Sequence, residues 1–149
     1  AWWSMSYQIP EGTGSASVTY LRKDAVYDPA ASGAILVLDY AEDCRALQSS
    51  ELMSAESHLV FEQAGRHYAA VNSNICQTLA WAPVANRGSL RAADFTLVAG
   101  RACSAGESCP DLSANGAPLR FGFRRFVWGA PGNVIGHGID NWTVTVWRR

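Results

Sequence analysis

The residues that could do acid–base chemistry lie along the chain without the spacing that hydrolysis needs. A glycosidase uses two carboxylates about 5 to 9 Å apart, which alternate positions on one strand can supply. No Glu-x-Asp-x-Glu run occurs. We interpret Asp39 with Asp43, and Glu51 with Glu56, as solvated or turn-capping carboxylates rather than acid–base couples. The three histidines do not form the H-E-x-x-H pattern of a metalloprotease. A hydrolase would therefore need dispersed catalytic residues, and we expect no enzyme.

A row of aromatic and basic residues in the stretch from Leu119 to Trp128 is better suited to binding. Alternate residues of a strand point to opposite faces. Phe121, Phe123 and Val127 are predicted to face the core, and Arg120, Arg124, Phe126 and Trp128 the other side. Planar rings can stack on sugar rings, and arginine donates forked hydrogen bonds to oxygen atoms. Arg124, Phe126 and Trp128 are therefore candidate carbohydrate-binding residues. The alternative is that Phe126 and Trp128 pack under the loop that follows.

The four cysteines, Cys44, Cys76, Cys103 and Cys109, have no C-x-x-C spacing and fit two disulfides better than a zinc site. Three pairings are possible. We favour Cys103–Cys109, because the polar segment between them can close on itself, which leaves Cys44 with Cys76. Disulfides persist in oxidising compartments, so we expect a secreted or extracellular protein, with a periplasmic location as an option. The alternative is four reduced, buried cysteines.

The elements that would position these residues are short strands. Segments rich in β-branched and aromatic residues, bounded by turn residues, predict eight of them. These are residues 3–9, 16–22, 34–40, 57–63, 66–72, 90–98, 119–127 and 140–147. Gln63-Ala64-Gly65-Arg66 predicts a tight hairpin, and residues 41–57 could hold one helical turn. Ile35 to Leu38 is apolar on both faces and predicts a fully covered strand. We therefore expect one all-β domain over residues 1–149, a two-layer antiparallel sandwich of the jelly-roll type.

The charge and hydropathy of the chain limit the kinds of partner that it can bind. Twelve basic and thirteen acidic residues give a net charge of −1, so no excess positive charge is available to bind a phosphate backbone. We expect no nucleic-acid partner. No apolar run is long enough to span a membrane, and the N-terminal residues lack a charged-then-apolar leader. We expect no membrane insertion, and expect any export signal to have been removed.

The C-terminal half resembles secreted bacterial jelly-roll domains similar to the concanavalin-A-like and laminin-type sandwiches. The resemblance rests on Ala93-Asp94-Phe95, on residues 109–119 (Cys-Pro-Asp-Leu-Ser-Ala-Asn-Gly-Ala-Pro-Leu), on Phe121-Gly122-Phe123 and on residues 138–144 (Gly-Ile-Asp-Asn-Trp-Thr-Val). Its closing Asp-Asn-aromatic-x-Val also ends many carbohydrate-binding jelly rolls and other extracellular adhesion modules. In related jelly rolls the aspartate that opens the last strand often joins a calcium site, which makes Asp140 a candidate ligand of a structural calcium ion. Turn capping by the Asp140 carboxylate is the alternative.

These features predict a non-catalytic, lectin-like module that binds a polysaccharide or glycan. A protein-binding adhesion or structural module on the same scaffold is the second hypothesis, and a glycan hydrolase is the third. The high tryptophan content, six in 149 residues, favours binding but does not locate the site.

Overall fold

The computed structural model describes residues 2–47, 54–76, 78–98 and 109–149. In these ranges the chain is all-β and forms two antiparallel sheets, as the sequence predicts. The strands are β1 (Trp3–Gln8), β2 (Ser15–Tyr27), β3 (Ile35–Ala46), β4 (Ser54–Gln63), β5 (Arg66–Ala70), β6 (Asn74–Cys76), β7 (Ala82–Leu90), β8 (Phe95–Leu97), β9 (Leu119–Trp128) and β10 (Val134–Arg148). One short helix, α1 (Pro29–Ser32), follows β2. No helix within the described ranges is long and apolar enough to cross a membrane.

The strands divide into a sheet of four and a sheet of six. The four-stranded sheet has the order β1-β10-β3-β7. The six-stranded sheet has the order β2-β9-β4-β5-β8, with β6 paired to β4. Strands adjacent in a sheet are mostly distant in sequence: β1 pairs with β10, β2 with β9, and β3 with β7. The candidate binding strand β9 therefore lies between β2 and β4, inside the larger sheet.

The inner faces of the two sheets share one cluster of buried apolar side chains. Tyr40 and Leu38 come from β3 in the smaller sheet, and Phe61 and Phe123 come from β4 and β9 in the larger sheet. Phe61 meets Phe95 edge to face with ring centroids 4.8 Å apart. Burial of each such side chain contributes about 1.5 to 3 kcal/mol. This shared core fixes which face of each strand points inward.

The hairpin between β4 and β5 forms where it was predicted. Gln63 pairs with Arg66, and the two residues between them have positive φ, 50° at Ala64 and 75° at Gly65. Two successive positive φ angles are typical of a type I′ turn, which matches the right-handed twist of the flanking strands. The turn therefore fixes the register of β4 against β5.

Two strand predictions were wrong in detail. The segment predicted as one strand from Leu90 to Val98 is instead the end of β7, a 3-10 turn over Ala92–Asp94, and the three-residue strand β8. In that turn the backbone N–H of Arg91 donates to Asp94 Oδ2 at 2.7 Å, a local bond that competes with strand pairing.

Leu36, predicted to be covered on both faces, is 42 % exposed. Part of the segment predicted to hold a helical turn belongs to β3 and β4, and residues 48–53 lie outside the described residues.

One predicted disulfide is present and it connects the two sheets. Cys44 of β3 is bonded to Cys76 of β6, with 6.1 Å between the Cα atoms, and both side chains are buried. Closing a loop of 32 residues stabilises the fold by about 3.7 kcal/mol on the chain-entropy model. Cys109 is also disulfide-bonded. Its predicted partner, Cys103, lies outside the described residues.

A buried ion pair also connects the sheets. Arg125 of β9 has the inward parity of Phe123 and Val127, and it is fully buried. Its Nη1 donates to Glu42 Oε1 of β3 at 2.7 Å. The Tyr40 hydroxyl donates to the other Glu42 oxygen. Because both charges are out of water, each depends on the other for compensation. The predicted inward face of β9 comprised Phe121, Phe123 and Val127 and did not include Arg125.

Candidate functional site

The outer face of β9 carries the predicted binding row. Burial alternates along the strand, so that Phe121, Phe123, Arg125 and Val127 are buried while Arg120, Arg124, Phe126 and Trp128 are exposed or half-buried. The predicted parity is therefore confirmed for all four residues of the outer row. We call Arg124, Phe126 and Trp128 the platform. It lies on the strand next to the edge of the six-stranded sheet, where β2 and β4 pair with β9 on both sides and keep its backbone fixed.

The platform side chains contact one another. The rings of Phe126 and Trp128 meet edge to face, with centroids 4.6 Å apart and an angle of 67° between the ring planes. The guanidinium carbon of Arg124 lies 5.6 Å from the centre of the Phe126 ring, within the range of a cation–π contact. Trp128 is 36 % exposed and Phe126 is half-buried. The aromatic surface is therefore preorganised and partly open to solvent, and Trp128 is not fully covered by the loop that follows.

Polar side chains from the neighbouring strands border the platform. Ser17 of β2 and Glu56 of β4 are the cross-strand neighbours of Phe126. Arg124 Nη2 donates to Ser17 Oγ at 3.2 Å. Burial lowers the pKa of the Arg124 guanidinium, and the nearby Glu56 carboxylate acts in the opposite direction. Arginine stays charged even so, so one cation and one carboxylate lie at the edge of the aromatic surface.

His58 of β4 completes this border. It is the cross-strand neighbour of Arg124. Its Nε2 lies 3.2 Å from Glu56 Oε2, and its Nδ1 lies 2.9 Å from the backbone oxygen of Ala70. The strand predicted over residues 57–63 included His58 but left Glu56 outside it. Extending β4 back to Ser54 would have put Glu56 and His58 on one face by the two-residue period of a strand.

The carboxylates considered as possible acid–base couples have other partners. Asp39 Oδ2 accepts from Trp147 Nε1 at 2.5 Å, and its Oδ1 accepts from the backbone N–H of Ser89 at 2.7 Å. Asp43 Oδ2 accepts from Asn141 Nδ2 at 2.6 Å. These bonds lie on the outer face of the four-stranded sheet, away from the platform. Glu51, which was considered together with Glu56, lies outside the described residues.

Asp140 lies inside β10, which begins at Val134, and therefore does not open the last strand as the sequence predicted. Its Oδ1 accepts from the backbone N–H of Asn141 at 2.9 Å. Asp43 is its cross-strand neighbour, and no group of three or more His, Cys, Asp or Glu comes together in the described ranges. Calcium takes six to eight oxygen ligands, more than these two carboxylates supply. Calcium binding stays a prediction, which a melting temperature indifferent to both calcium and chelator would contradict.

Comparisons with known proteins identify no relative. No protein-family model, curated protein or solved structure matches the chain. The resemblance of the C-terminal half to secreted jelly-roll domains therefore stays a prediction from the residues that carry it.

Proposed function

We propose that this protein is a non-catalytic glycan-binding module and that the platform on the outer face of β9 is its binding surface. The observation that carries the proposal is the continuous contact from Arg124 over Phe126 to Trp128, on a strand whose opposite face is buried. The row is rigid because β2 and β4 pair along it on both sides. A rigid aromatic surface loses little entropy when a ligand stacks on it.

The chemistry around the platform favours a neutral, hydroxyl-rich ligand. The aromatic edges and faces can pack against the C–H faces of sugar rings, as they do in other apolar ligand sites. Arg124 supplies donors, while Glu56 and Ser17 supply acceptors. The opposite charges of Arg124 and Glu56 balance locally, so neither a strongly acidic nor a strongly basic ligand is favoured. A polysaccharide offers both the ring faces and the hydroxyl groups that such a surface can bind.

Binding without turnover fits the carboxylate arrangement better than hydrolysis does. In the part of the chain that the structure describes, Glu56 is the carboxylate that borders the platform, and its Oε2 lies 3.2 Å from His58 Nε2. Hydrolysis of a glycosidic bond needs a second carboxylate facing the first across the bond. Stacking of a sugar ring on the platform needs no second carboxylate.

We also propose that the eight longer strands form a jelly roll. When the three-residue strands β6 and β8 are set aside, the first strand pairs with the eighth, the second with the seventh, the third with the sixth and the fourth with the fifth. An eight-stranded antiparallel hairpin that is rolled into two sheets has these pairings. They support the jelly-roll assignment, and an experimental structure with a different strand order would contradict it.

We also propose that the protein resides in an oxidising compartment, either extracellular or periplasmic. The Cys44–Cys76 disulfide supports it, because such bonds persist where thiols are not kept reduced. Detection of the reduced form in cells grown without stress would count against this location.

A titration tests the binding proposal. Soluble neutral oligosaccharides are added while tryptophan fluorescence is followed in the wild type, in Trp128→Ala and in Arg124→Ala. We expect a dissociation constant of about 10 µM to 1 mM, equivalent to about −7 to −4 kcal/mol. Trp128→Ala should weaken binding by about tenfold or more, and Arg124→Ala by less. Because stacking does not depend on net charge, added salt should change the affinity little.

Trp147→Ala is the matched control. Trp147 is 54 % exposed but lies on β10 in the other sheet, so its removal should leave the affinity unchanged. Equal binding by the wild type and Trp128→Ala would overturn the assignment of the platform. A protein that binds no glycan but captures a protein partner would instead support an adhesion module, and release of reducing sugar would support a hydrolase.

A further inference from the structure

A pocket of about 210 Å³ lies apart from the platform, at the side of the sandwich where β1 and β10 approach β2. It is lined by Trp3, Arg22, Ile139, Asp140, Asn141 and Trp142. None of these residues belongs to the platform. The volume is below the roughly 300 to 1,000 Å³ of sites for drug-sized ligands. A single small ring would fit this space, and a chain of several sugars would not.

Two breaks in strand pairing meet at this pocket. In β2 the register against β9 shifts between Leu21 and Val26, and this irregular segment carries Arg22. In β10 the register against β3 shifts between Asp140 and Thr143, and Asn141 has a positive φ of 49°. Bulges redirect side chains and are frequent beside binding sites. A non-glycine residue with positive φ costs free energy, and such residues cluster at functional sites.

The walls of the pocket are two tryptophan rings with a guanidinium between them. The guanidinium carbon of Arg22 lies 5.7 Å from the centre of the Trp3 ring and 5.5 Å from that of Trp142. Arg22 is held in place by Asp24, to which it donates through Nε at 3.1 Å and Nη2 at 2.8 Å. Trp3 is 46 % exposed, so part of its ring is open to a ligand.

The polar groups at the pocket keep hydrogen-bonding capacity after their internal contacts are counted. Asp140 uses Oδ1 for the Asn141 N–H, and Asn141 uses Nδ2 for Asp43. In these contacts Asp140 Oδ2 and Asn141 Oδ1 are not engaged, and both are acceptors. The contacts of Arg22 with Asp24 involve Nε and Nη2, which leaves Nη1 as a donor. A ligand with several hydroxyl groups could donate to the two acceptors and accept from the arginine.

The charged side chains at the pocket disfavour both cationic and anionic ligands. A quaternary ammonium or another cation would be repelled by the positive charge of Arg22, which lies within cation–π distance of both tryptophan rings. An anion would meet the carboxylates of Asp140 and Asp24. A neutral ring avoids both conflicts.

We propose that this pocket is a second binding site, which holds one neutral pyranose ring such as the terminal residue of a glycan chain. The ring would lie against Trp3, with its hydroxyl groups bonded to Asp140, Asn141 and Arg22. The inference rests on the proposed glycan-binding function for the class of ligand, and on the pocket alone for the location. The platform would then bind the length of a chain, and the pocket its end.

Tryptophan indole N–H signals in NMR spectra test the proposal, with methyl glycosides of neutral hexoses as the probes. The signals are assigned with single Trp→Phe variants. We expect the glycoside to shift the Trp3 and Trp142 signals and to leave the Trp128 signal in place. Trp3→Ala should weaken this binding by about tenfold or more. Asp140→Asn should weaken it by a smaller factor, because the amide oxygen can still accept from the Asn141 N–H.

Trp2→Ala is the control variant. Trp2 is 45 % exposed, against 46 % for Trp3, and it also stacks on an arginine, with Arg45 at 4.7 Å, but it does not line the pocket. Thermal unfolding of each variant establishes that it is folded, and glycoside binding by Trp2→Ala should equal that of the wild type. The proposal is overturned when no glycoside shifts the Trp3 and Trp142 signals, when binding survives both Trp3→Ala and Asp140→Asn unchanged, or when tetramethylammonium binds in place of the glycoside.

The two proposals fail separately in this experiment. Loss of oligosaccharide binding in Trp128→Ala, with no response of the pocket signals to glycosides, would keep the platform and remove the pocket. A response of the pocket signals, with oligosaccharide binding unaffected by Trp128→Ala, would keep the pocket and remove the platform.

Discussion

At the scale of single residues, two arginines of β9 form ion pairs with glutamates of neighbouring strands, and one pair is buried while the other is exposed. Arg125 and Glu42 are fully buried between the sheets, whereas Arg120 and Glu62 form an ion pair on the outer face. A buried pair that loses one member leaves an uncompensated charge out of water, but an exposed pair is replaced by hydration. The same substitution in one strand should therefore have very different effects.

We predict that Arg125→Met lowers the free energy of unfolding by about 3 to 5 kcal/mol, because Glu42 then stays buried without its partner. Arg120→Met should change it by less than about 1 kcal/mol. Urea unfolding followed by circular dichroism measures both. The double variant Glu42→Leu, Arg125→Met should recover most of the loss, since neither charge remains. A mild effect of Arg125→Met alone would mean that water reaches this pair.

At the scale of secondary-structure elements, β6 contributes little pairing of its own. It is three residues long and pairs with β4 over Ala55 to Ser57. Its Cys76 nevertheless bonds to Cys44 near the C-terminal end of β3, so this short strand carries a covalent connection between the two sheets. A crosslink between elements that are distant in sequence restricts the unfolded chain more than it changes the folded one.

Removal of this crosslink should lower stability without changing the strand arrangement. We predict that Cys44→Ala with Cys76→Ala lowers the free energy of unfolding by about 2 to 4 kcal/mol. Thermal unfolding measures the loss, and the far-ultraviolet circular dichroism spectrum of the folded variant should match that of the wild type. Reductant should lower the melting temperature of the wild type in the same direction. A double variant with wild-type stability would show that the disulfide contributes nothing.

At the scale of the whole molecule, the net charge is close to zero, so we expect little dependence of stability on overall charge repulsion. Stability should instead depend on pH through one buried titratable group. His137 of β10 is buried. Burial and the nearby Arg125 charge lower the pKa of its imidazole from 6.5 to about 4. The unfolded chain therefore binds a proton between these pH values that the folded chain does not bind. Stability is fully present above pH 6.5 and is lost as the pH falls toward 4.

We predict that His137 alone makes the protein about 2 kcal/mol less stable at pH 5 than at pH 7. His137→Gln should reduce this dependence, because glutamine does not titrate. His67→Gln is the control, since His67 is exposed on β5. Urea unfolding at the two pH values measures the difference. An equal pH dependence in the wild type and in His137→Gln would assign the effect to other groups.

The local patterns of the sequence determined much of the fold. Alternation along β9 was sufficient to assign Phe121 and Phe123 inward and Phe126 and Trp128 outward, because a strand has a period of two residues wherever it pairs. Turn chemistry located the hairpin at Ala64 and Gly65, because it depends on backbone angles that few residues adopt. All-β structure and the Cys44–Cys76 pairing were also predicted from the sequence.

Only the tertiary structure decided which strands are neighbours, and the candidate sites depend on those neighbours. Glu56 and His58 border the platform because β4 pairs with β9, across more than sixty positions in the sequence. Trp3, Arg22 and Asp140 share a pocket because β1, β2 and β10 meet at one side of the sandwich. Strand periodicity specifies the face on which a side chain lies but not its partner, since backbone hydrogen bonds are the same for every pairing. Burial of the shared core selects one arrangement, and with it the chemistry of the surface.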